Sequence, residues 1–154
     1  MKATISKNNT GTHGFDLPEN EALKWLSKGH KRVLVSINHS EAYHAAIQSF
    51  KPNGYRIQIS QAKLKELNLK IGHEISVKLL EDTNPVQFHI PEEWTAVLEQ
   101  DTDAERIFQS LRPGNQRSIL FLINKLKSAE KRIEKSLRIA ELLKSGITNA
   151  REMV

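Results

Sequence analysis

The sequence predicts an α+β protein in which the strands come first and the helices second. Hydrophobic and polar residues alternate in the first part of the chain, as over residues 33–37, and this is the period of a half-buried strand. After Ile90 the hydrophobic residues recur at three- and four-residue spacing, which is typical of amphipathic helices. We therefore divide the chain into a β domain of residues 1–90 and a helical module of residues 91–154.

The composition excludes several classes of protein. The 154 residues include no cysteine, which excludes a disulfide framework, a thiolate zinc site and a cysteine nucleophile. The N-terminus carries no apolar targeting segment, and no window approaches the roughly 18 uninterrupted apolar residues of a membrane-spanning helix. We therefore expect a cytoplasmic protein without membrane insertion.

The first strands follow from short alternating segments. Residues 2–6 alternate weakly and predict an edge strand, and the acidic turn that follows Pro18 predicts the start of a short helix. Residues 33–37 predict a central strand, and residues 43–50 predict the strand that returns beside it. Residues 51–54, Lys-Pro-Asn-Gly, are the clearest turn signal in the chain.

The stretch after this turn is the one around which we expect the fold to be organised. Residues 55–59 alternate as a strand, and Ser60 is placed to cap the short helix that follows. Asn68 suits the left-handed residue that ends such a helix in a Schellman motif. Residues 75–79 and 86–90 then predict two further strands, each with one apolar face.

The remaining segments predict helices. Pro91, followed by two glutamates, is typical of a helix start, and Thr102 with Glu105 predicts a capping box for the next helix. The break at residues 112–114 precedes a longer apolar pattern over residues 116–145. That pattern predicts either one long amphipathic helix or two consecutive ones.

The excess positive charge lies in the helical module. From Arg112 to the end the chain has ten lysines and arginines against four glutamates, a net charge of +6, whereas the whole chain carries +5. Lys127, Lys131, Lys135 and Arg138 are spaced so that they fall close to one stripe. Such a stripe is suited to the phosphates of nucleic acid or to an acidic protein surface.

Two alternatives for this stripe remain open. It is also consistent with a solvated face that is stabilised by four-residue ion pairs, such as Glu134 with Arg138, or with a dedicated protein interface. The stripe contains no aromatic residue, so we do not expect it to stack on bases.

The sequence offers no recognisable active site. His39 and His44 are the closest pair of histidines, but on a regular strand they would point to opposite faces, so we expect surface histidines and no metal site. The chain has no Gly-x-Ser-x-Gly elbow, no P-loop and no dinucleotide-binding glycine pattern. We therefore predict that the protein is not an enzyme and has no cofactor.

One set of residues runs through the strand, short helix and turn of the organising stretch: Gly54-Tyr55-Arg56-Ile57-Gln58-Ile59-Ser60, Leu64, Leu67-Asn68-Leu69-Lys70-Ile71-Gly72 and Val77. This set resembles the swapped-hairpin unit of AbrB-like double-split β-barrels, and more specifically a bacterial domain of unknown function with that barrel. The resemblance implies that the β domain is a small closed β-barrel, which we expect a single chain to complete as a monomer.

A second set lies downstream: Ile90-Pro91-Glu92-Glu93, Phe108-Gln109-Ser110-Leu111-Arg112-Pro113, Ile123, Lys127, Glu130, Arg132, Leu143 and Gly146. It resembles the YdeI/OmpD-associated module, which is also called a bacteriocin-protection module. The two resemblances together cover the chain from about Phe15 to Gly146.

These resemblances imply a non-enzymatic binding protein of the bacterial cytoplasm, linked to stress or to resistance against antimicrobial peptides. Its partner would be another protein or a small ligand. The alternative is a nucleic-acid-binding regulator that uses the basic helices. The residues that we expect to contact an anionic partner in either case are Arg117, Lys127, Lys131, Arg132 and Lys135.

Overall fold

The computed structural model describes residues 1–50 and 54–154 and divides into two compact units, Met1–Thr83 and Asn84–Val154. Strands fill the first unit and helices the second, which confirms the predicted α+β class. Most of the turn that we predicted at residues 51–54 lies outside the described residues.

The N-terminal unit is a seven-stranded antiparallel sheet with two short helices. The strands follow one another across the sheet in the order β1-β7-β4-β5-β6-β3-β2. The elements are β1 (Lys2–Thr4), β2 (Ser6–Lys7), β3 (His13–Leu17), α1 (Glu19–Leu26), β4 (Arg32–Ile37), β5 (Tyr43–Phe50), β6 (Gly54–Gln58), α2 (Gln61–Glu66) and β7 (Glu74–Glu81).

The predicted closed barrel is wrong. The N-terminal extended segment splits at Ile5 into β1, which pairs with β7, and β2, which pairs with β3. These two strands are the edges of the sheet and do not pair with each other within the part of the chain that the structure describes. Strands of three and two residues offer few ladder hydrogen bonds, so the sheet ends at each of them.

The strand that we predicted at residues 86–90 is also wrong. The Asn84 side chain accepts hydrogen bonds from the backbone N–H groups of Val86 at 2.9 Å and Gln87 at 3.0 Å. Gln87 has a φ of 53°, so the backbone turns where the apolar alternation suggested an extended chain. Val86 is instead buried in the core of the C-terminal unit, and Phe88 and Ile90 pack against that core.

Local signals correctly predicted the short helix α2. The Ser60 hydroxyl accepts from the backbone N–H of Lys63 at 3.1 Å, which is the expected N-cap. Asn68 has a φ of 54°, and the N–H of Leu69 donates to the carbonyl of Leu64 at 2.8 Å. That hydrogen bond is the Schellman termination, and Leu64 itself is buried against the sheet.

One glycine of the sheet is required by a close approach of two strands. Gly14 on β3 is buried and faces Gln58 of β6 in the ladder. A Cβ at Gly14 would collide with the carbonyl oxygen of Ile57 and would lie 3.1 Å from the Gln58 Cα. Because both obstacles are backbone atoms, only glycine fits there.

The C-terminal unit is helical. Its elements are α3 (Glu92–Gln100), α4 (Thr102–Ser110), α5 (Pro113–Asn124), α6 (Ala129–Lys144) and a final 3-10 helix (Ala150–Met153). The pattern over residues 116–145 therefore forms two helices, and Ser128 caps the second by accepting from the N–H of Lys131 at 3.2 Å. The predicted capping box is wrong, because Asp101 is the N-cap of α4 and accepts from Ala104 N at 3.1 Å.

The core of this unit is built around one tryptophan. Trp94 of α3 is fully buried, and its ring meets the edge of the Phe108 ring of α4 with the centroids 5.2 Å apart. Ile119 and Ile123 of α5 and Ile139 of α6 are also fully buried. No helix in the described residues has the length and apolar character that a membrane crossing requires.

Candidate functional site

Two of the predicted anion-binding residues, Lys127 and Lys131, lie on an exposed surface, but only Lys131 lies on the helix that carries the predicted stripe. Lys127 lies in the loop between α5 and α6, and Lys131 lies in the first turn of α6. Both side chains are exposed, and neither forms an ion pair within the described ranges 1–50 and 54–154. They are available to a partner.

Arg132, in contrast, connects elements of its own unit. Its Nε donates to Glu93 Oε1 at 2.9 Å, and its Nη1 donates to the Leu126 carbonyl at 3.0 Å. The Glu93 backbone N–H, and then Arg132, keep the pKa of the Glu93 carboxyl below its usual value. The predicted contact residue is thus already committed to joining α6 to α3 and to the loop before α6.

Arg117 and Lys135 are also anchored, each by one backbone oxygen. Arg117 Nη1 donates to the Val86 carbonyl at 3.3 Å, and Lys135 Nζ donates to the Met153 carbonyl at 2.7 Å. Both side chains are half-buried. Arg117 holds the turn before α3, and Lys135 holds the final 3-10 helix.

Lys135 nevertheless belongs to a cluster of positive charge. Burial lowers the pKa of its ammonium group, and the nearby charges of Arg138 and Lys125 lower it further. Lys131, Lys135 and Arg138 share one side of α6 because they are four and three residues apart. We call Lys125, Lys131, Lys135 and Arg138 the basic face.

The basic face lacks its own counter-charge. None of its four members forms an ion pair with any residue that the structure describes, so the Glu134–Arg138 pair of the solvated-face alternative does not form. Sequence reasoning did not select Lys125, since only the fold brings the end of α5 close to Lys135. The face therefore concentrates positive charge without neutralising it.

Lys144, at the end of α6, is neutralised by ion pairs, in contrast to the cations of the basic face. Lys144 Nζ lies 2.7 Å from Asp101 Oδ2 and 2.8 Å from Glu141 Oε1. The hydrogen bonds to Asp101 and then to Glu141 raise the pKa of the Lys144 ammonium group, the opposite direction to the shift at Lys135. One side of α6 is thus neutralised by ion pairs, and the side with the basic face is not.

The stripe itself contains no aromatic residue, but an exposed aromatic side chain lies on α5 one helical turn before Lys125 of this face. Phe121 is 56% exposed and lies four residues before Lys125, on the same side of α5. It is far more exposed than the other large apolar residues of that helix, such as Leu120 and Ile123, which are fully buried. An anionic partner would therefore meet an apolar ring next to the cations.

The histidines show a pairing that the sequence did not predict. His44 Nδ1 lies 2.6 Å from Oδ2 of the buried Asp82. The two residues are 38 positions apart, so spacing alone gave no signal, and His44 is half-buried where we expected a surface residue. Among the described residues, no group of three or more His, Asp or Glu side chains is arranged to hold a metal ion.

Comparison with known families matches both halves of the chain. A family model described as bacteriocin-protection, YdeI or OmpD-associated (OmdA) matches residues 87–146. A model described as a domain of unknown function (DUF1905) matches residues 2–79. No curated protein and no solved structure matches the chain. The two family matches confirm the predicted order of modules but give no support to an AbrB-like barrel.

Proposed function

We propose that this chain, which belongs to the family of the domain of unknown function DUF1905 and carries an OmdA domain at its C-terminal end, is a binding protein rather than an enzyme. Its partner is an acidic surface of another protein, and the contact is made by the basic face. The description of the OmdA family suggests a setting in bacteriocin protection. We place the protein, as a monomer, in the bacterial cytoplasm.

The observation that carries this proposal is the uncompensated charge of the basic face. Burial, and then the nearby charges of Arg138 and Lys125, lower the pKa of Lys135, so part of that shift reflects repulsion within the face. Carboxylates of a partner would remove that repulsion and would form charge-assisted hydrogen bonds with the exposed Lys131 and Arg138. Binding thus relieves a repulsion that the unit does not relieve by itself.

The chemistry of the face favours binding over catalysis. It consists of lysine and arginine side chains, which act as fixed positive charges at neutral pH. The pKa of Lys135 is lowered, but its ammonium group donates a hydrogen bond to the Met153 carbonyl at 2.7 Å. That contact uses the amine to fix the 3-10 helix.

A second candidate, a nucleic-acid-binding regulator, is favoured by Phe121. Single-stranded nucleic acids bind to grooves that combine cations with exposed aromatic rings, on which the bases stack. Phe121 supplies one such ring a helical turn from Lys125. An acidic protein would use the same ring as an apolar contact, so the two candidates predict different partners for one surface.

We expect a fluorescently labelled poly-glutamate peptide to bind the full chain at low ionic strength. Replacing Lys125, Lys131 and Arg138 together by Gln should weaken binding about tenfold or more, because each exposed cation contributes to the attraction. Fluorescence anisotropy measures the dissociation constant over a series of salt concentrations. The matched control removes three exposed lysines of the N-terminal unit, Lys28, Lys31 and Lys65, and should change the affinity little.

A labelled single-stranded oligonucleotide is the competing probe. If it binds more tightly than the peptide, and if Phe121→Ala weakens it, the nucleic-acid candidate replaces the acidic-protein candidate. Absence of binding to both probes at low salt would contradict the proposal, because charge-driven binding must strengthen as salt is removed.

We expect production of the chain in a bacteriocin-sensitive bacterium to raise survival when the bacteriocin is added. The triple Gln variant of the basic face should lose this effect, and the triple Gln control of the N-terminal unit should keep it. Survival is counted at matched protein levels, which are checked by immunoblot. If both triple variants protected the cells equally well, the basic face would not be required for bacteriocin protection.

A further inference from the structure

The N-terminal unit carries a groove that the proposed function does not use. It has a volume of about 720 Å³ and lies over β2, β3, β5 and β6. Its lining includes Lys7, Asn9, Asp16, Gln48, Phe50 and Arg56. We propose that this groove binds an uncharged, polyhydroxylated ligand of the sugar class.

The floor of the groove is a buried arginine whose two terminal nitrogens are fully occupied, while its buried Nε has no hydrogen-bond partner among the described residues. Arg56 is 6% exposed, and its Nη1 donates to Ser6 Oγ and Asp16 Oδ1, both at 2.8 Å. Its Nη2 donates to the carbonyls of Ser6 at 2.6 Å and Thr12 at 3.3 Å. These contacts occupy both terminal nitrogens, so the guanidinium fixes the loop that forms one wall and has no terminal N–H to offer an anionic ligand.

One wall of the groove is an aromatic ring held on a glycine. Phe50 at the end of β5 pairs with Gly54 at the start of β6. The ring packs directly on the Gly54 backbone, so that its Cε2 would lie 2.8 Å from a Cβ at that position. Phe50 remains 44% exposed, so a ring already fixed in position offers apolar surface to the C–H face of a sugar.

The polar groups of the groove are mixed in charge and in hydrogen-bonding capacity. The Asp16 side chain is 66% exposed, and Arg56 occupies only its Oδ1 among the described residues. Gln48 donates weakly to Gln58 Oε1 at 3.5 Å, which leaves its own carbonyl oxygen as an acceptor. Lys7 and Asn9 add exposed donors.

A hydroxyl group is the functional group that this lining fits. It donates one hydrogen bond and accepts others, so it suits carboxylate, amide and ammonium neighbours at once. Arg56 and Asp16 neutralise each other in their ion pair, and the remaining charged lining residue among those described, Lys7, is exposed to water, so the groove holds no desolvated free charge for a charged ligand. The volume also lies within the range of about 300–1,000 Å³ that is usual for small-molecule sites.

The test is a titration of the isotopically labelled full chain, followed by NMR. The probes are glucose, maltose and N-acetylglucosamine, with sodium acetate and inorganic phosphate as charged competitors. At least one sugar should shift the backbone amides of Lys7, Asn9, Gln48 and Ser49 in a saturable manner. Acetate and phosphate should not shift them at equal concentrations.

Two variants make the result specific. Phe50→Ala should weaken sugar binding about threefold to tenfold by removing the ring. Asp16→Asn keeps an acceptor for Arg56 but removes the charge, and should weaken binding in the same direction. Phe121→Ala, an exposed aromatic of the other unit, is the matched control and should have no effect.

The proposal is overturned if none of the three sugars shifts the groove amides, or if phosphate shifts them more than any sugar does. It is also overturned if Phe50→Ala binds as tightly as the native chain. The basic face takes no part in this titration, so its own binding tests can succeed or fail independently.

Discussion

Replacing Trp94 with alanine is expected to lower the free energy of unfolding of the C-terminal unit by about 4 kcal/mol. The side chain is fully buried, and its ring meets Phe108 edge to face with the centroids 5.2 Å apart. Alanine would leave a cavity between α3 and α4 and would remove that aromatic contact. Amide hydrogen exchange in α5 and α6 measures the loss, because fully buried Ile123 and Ile139 report on the same core.

Phenylalanine at the same position is the matched control. The Trp94 Nε1 is buried and has no hydrogen-bond acceptor among the described residues. Trp94→Phe therefore removes a buried N–H that makes no hydrogen bond among the described residues. It also keeps an aromatic partner for Phe108 and leaves a smaller cavity than alanine does. We expect a loss well below that of alanine. A loss under about 1 kcal/mol for Trp94→Ala would contradict the view that this ring organises the core.

The elements that the sequence predicted best are those whose determinants lie within a few residues. The helix α2 is the clearest example. Ser60 caps it, Asn68 ends it with a φ of 54°, and Leu69 bonds back to Leu64 at 2.8 Å. Each of these contacts spans at most five residues, so a local pattern contains all the information that is needed.

The errors in the fold come from contacts that a local pattern does not contain. Val86, Phe88 and Ile90 alternate as a strand would, but the Asn84 side chain turns the backbone at Gln87. The same apolar residues then pack into the helical core. The barrel was inferred from resemblance, and whether a sheet closes depends on pairing between its edges, which no single segment reveals.

The positions of the candidate-site residues were likewise predicted correctly where local spacing determines them and incorrectly where tertiary contacts do. Helical spacing correctly placed Lys131, Lys135 and Arg138 on one side of α6. Spacing did not show that Arg132 would be bound by Glu93, which is 39 positions earlier, or that Lys125 would lie near Lys135. Sequence therefore predicts which residues share a face, while tertiary packing decides which of them remain free to bind.

Replacing Arg56 with methionine is expected to lower the free energy of unfolding of the N-terminal unit by about 3 kcal/mol. Methionine retains much of the buried stem but loses the contacts to Ser6, Asp16 and Thr12. Two of the acceptors, the carbonyls of Ser6 and Thr12, would then need new donors, and β2 would lose its connection to β6. Faster amide hydrogen exchange around Thr12, together with a lower urea concentration at the unfolding midpoint, would show this loss of stability.

Comparison with Asp16→Asn tests whether Arg56 stabilises the unit through its contacts with backbone carbonyls or only through its ion pair with Asp16. Asp16 is 66% exposed and its bond to Arg56 is largely open to solvent, so neutralising it should cost less than about 1 kcal/mol. If both variants lost the same stability, the Asp16 charge would account for the whole effect and the backbone contacts of Arg56 would contribute nothing. We expect the two variants to lose different amounts of stability because Arg56 is buried and Asp16 is exposed. The buried guanidinium depends on its protein neighbours for hydrogen bonds, whereas water can replace the partner of the Asp16 carboxylate.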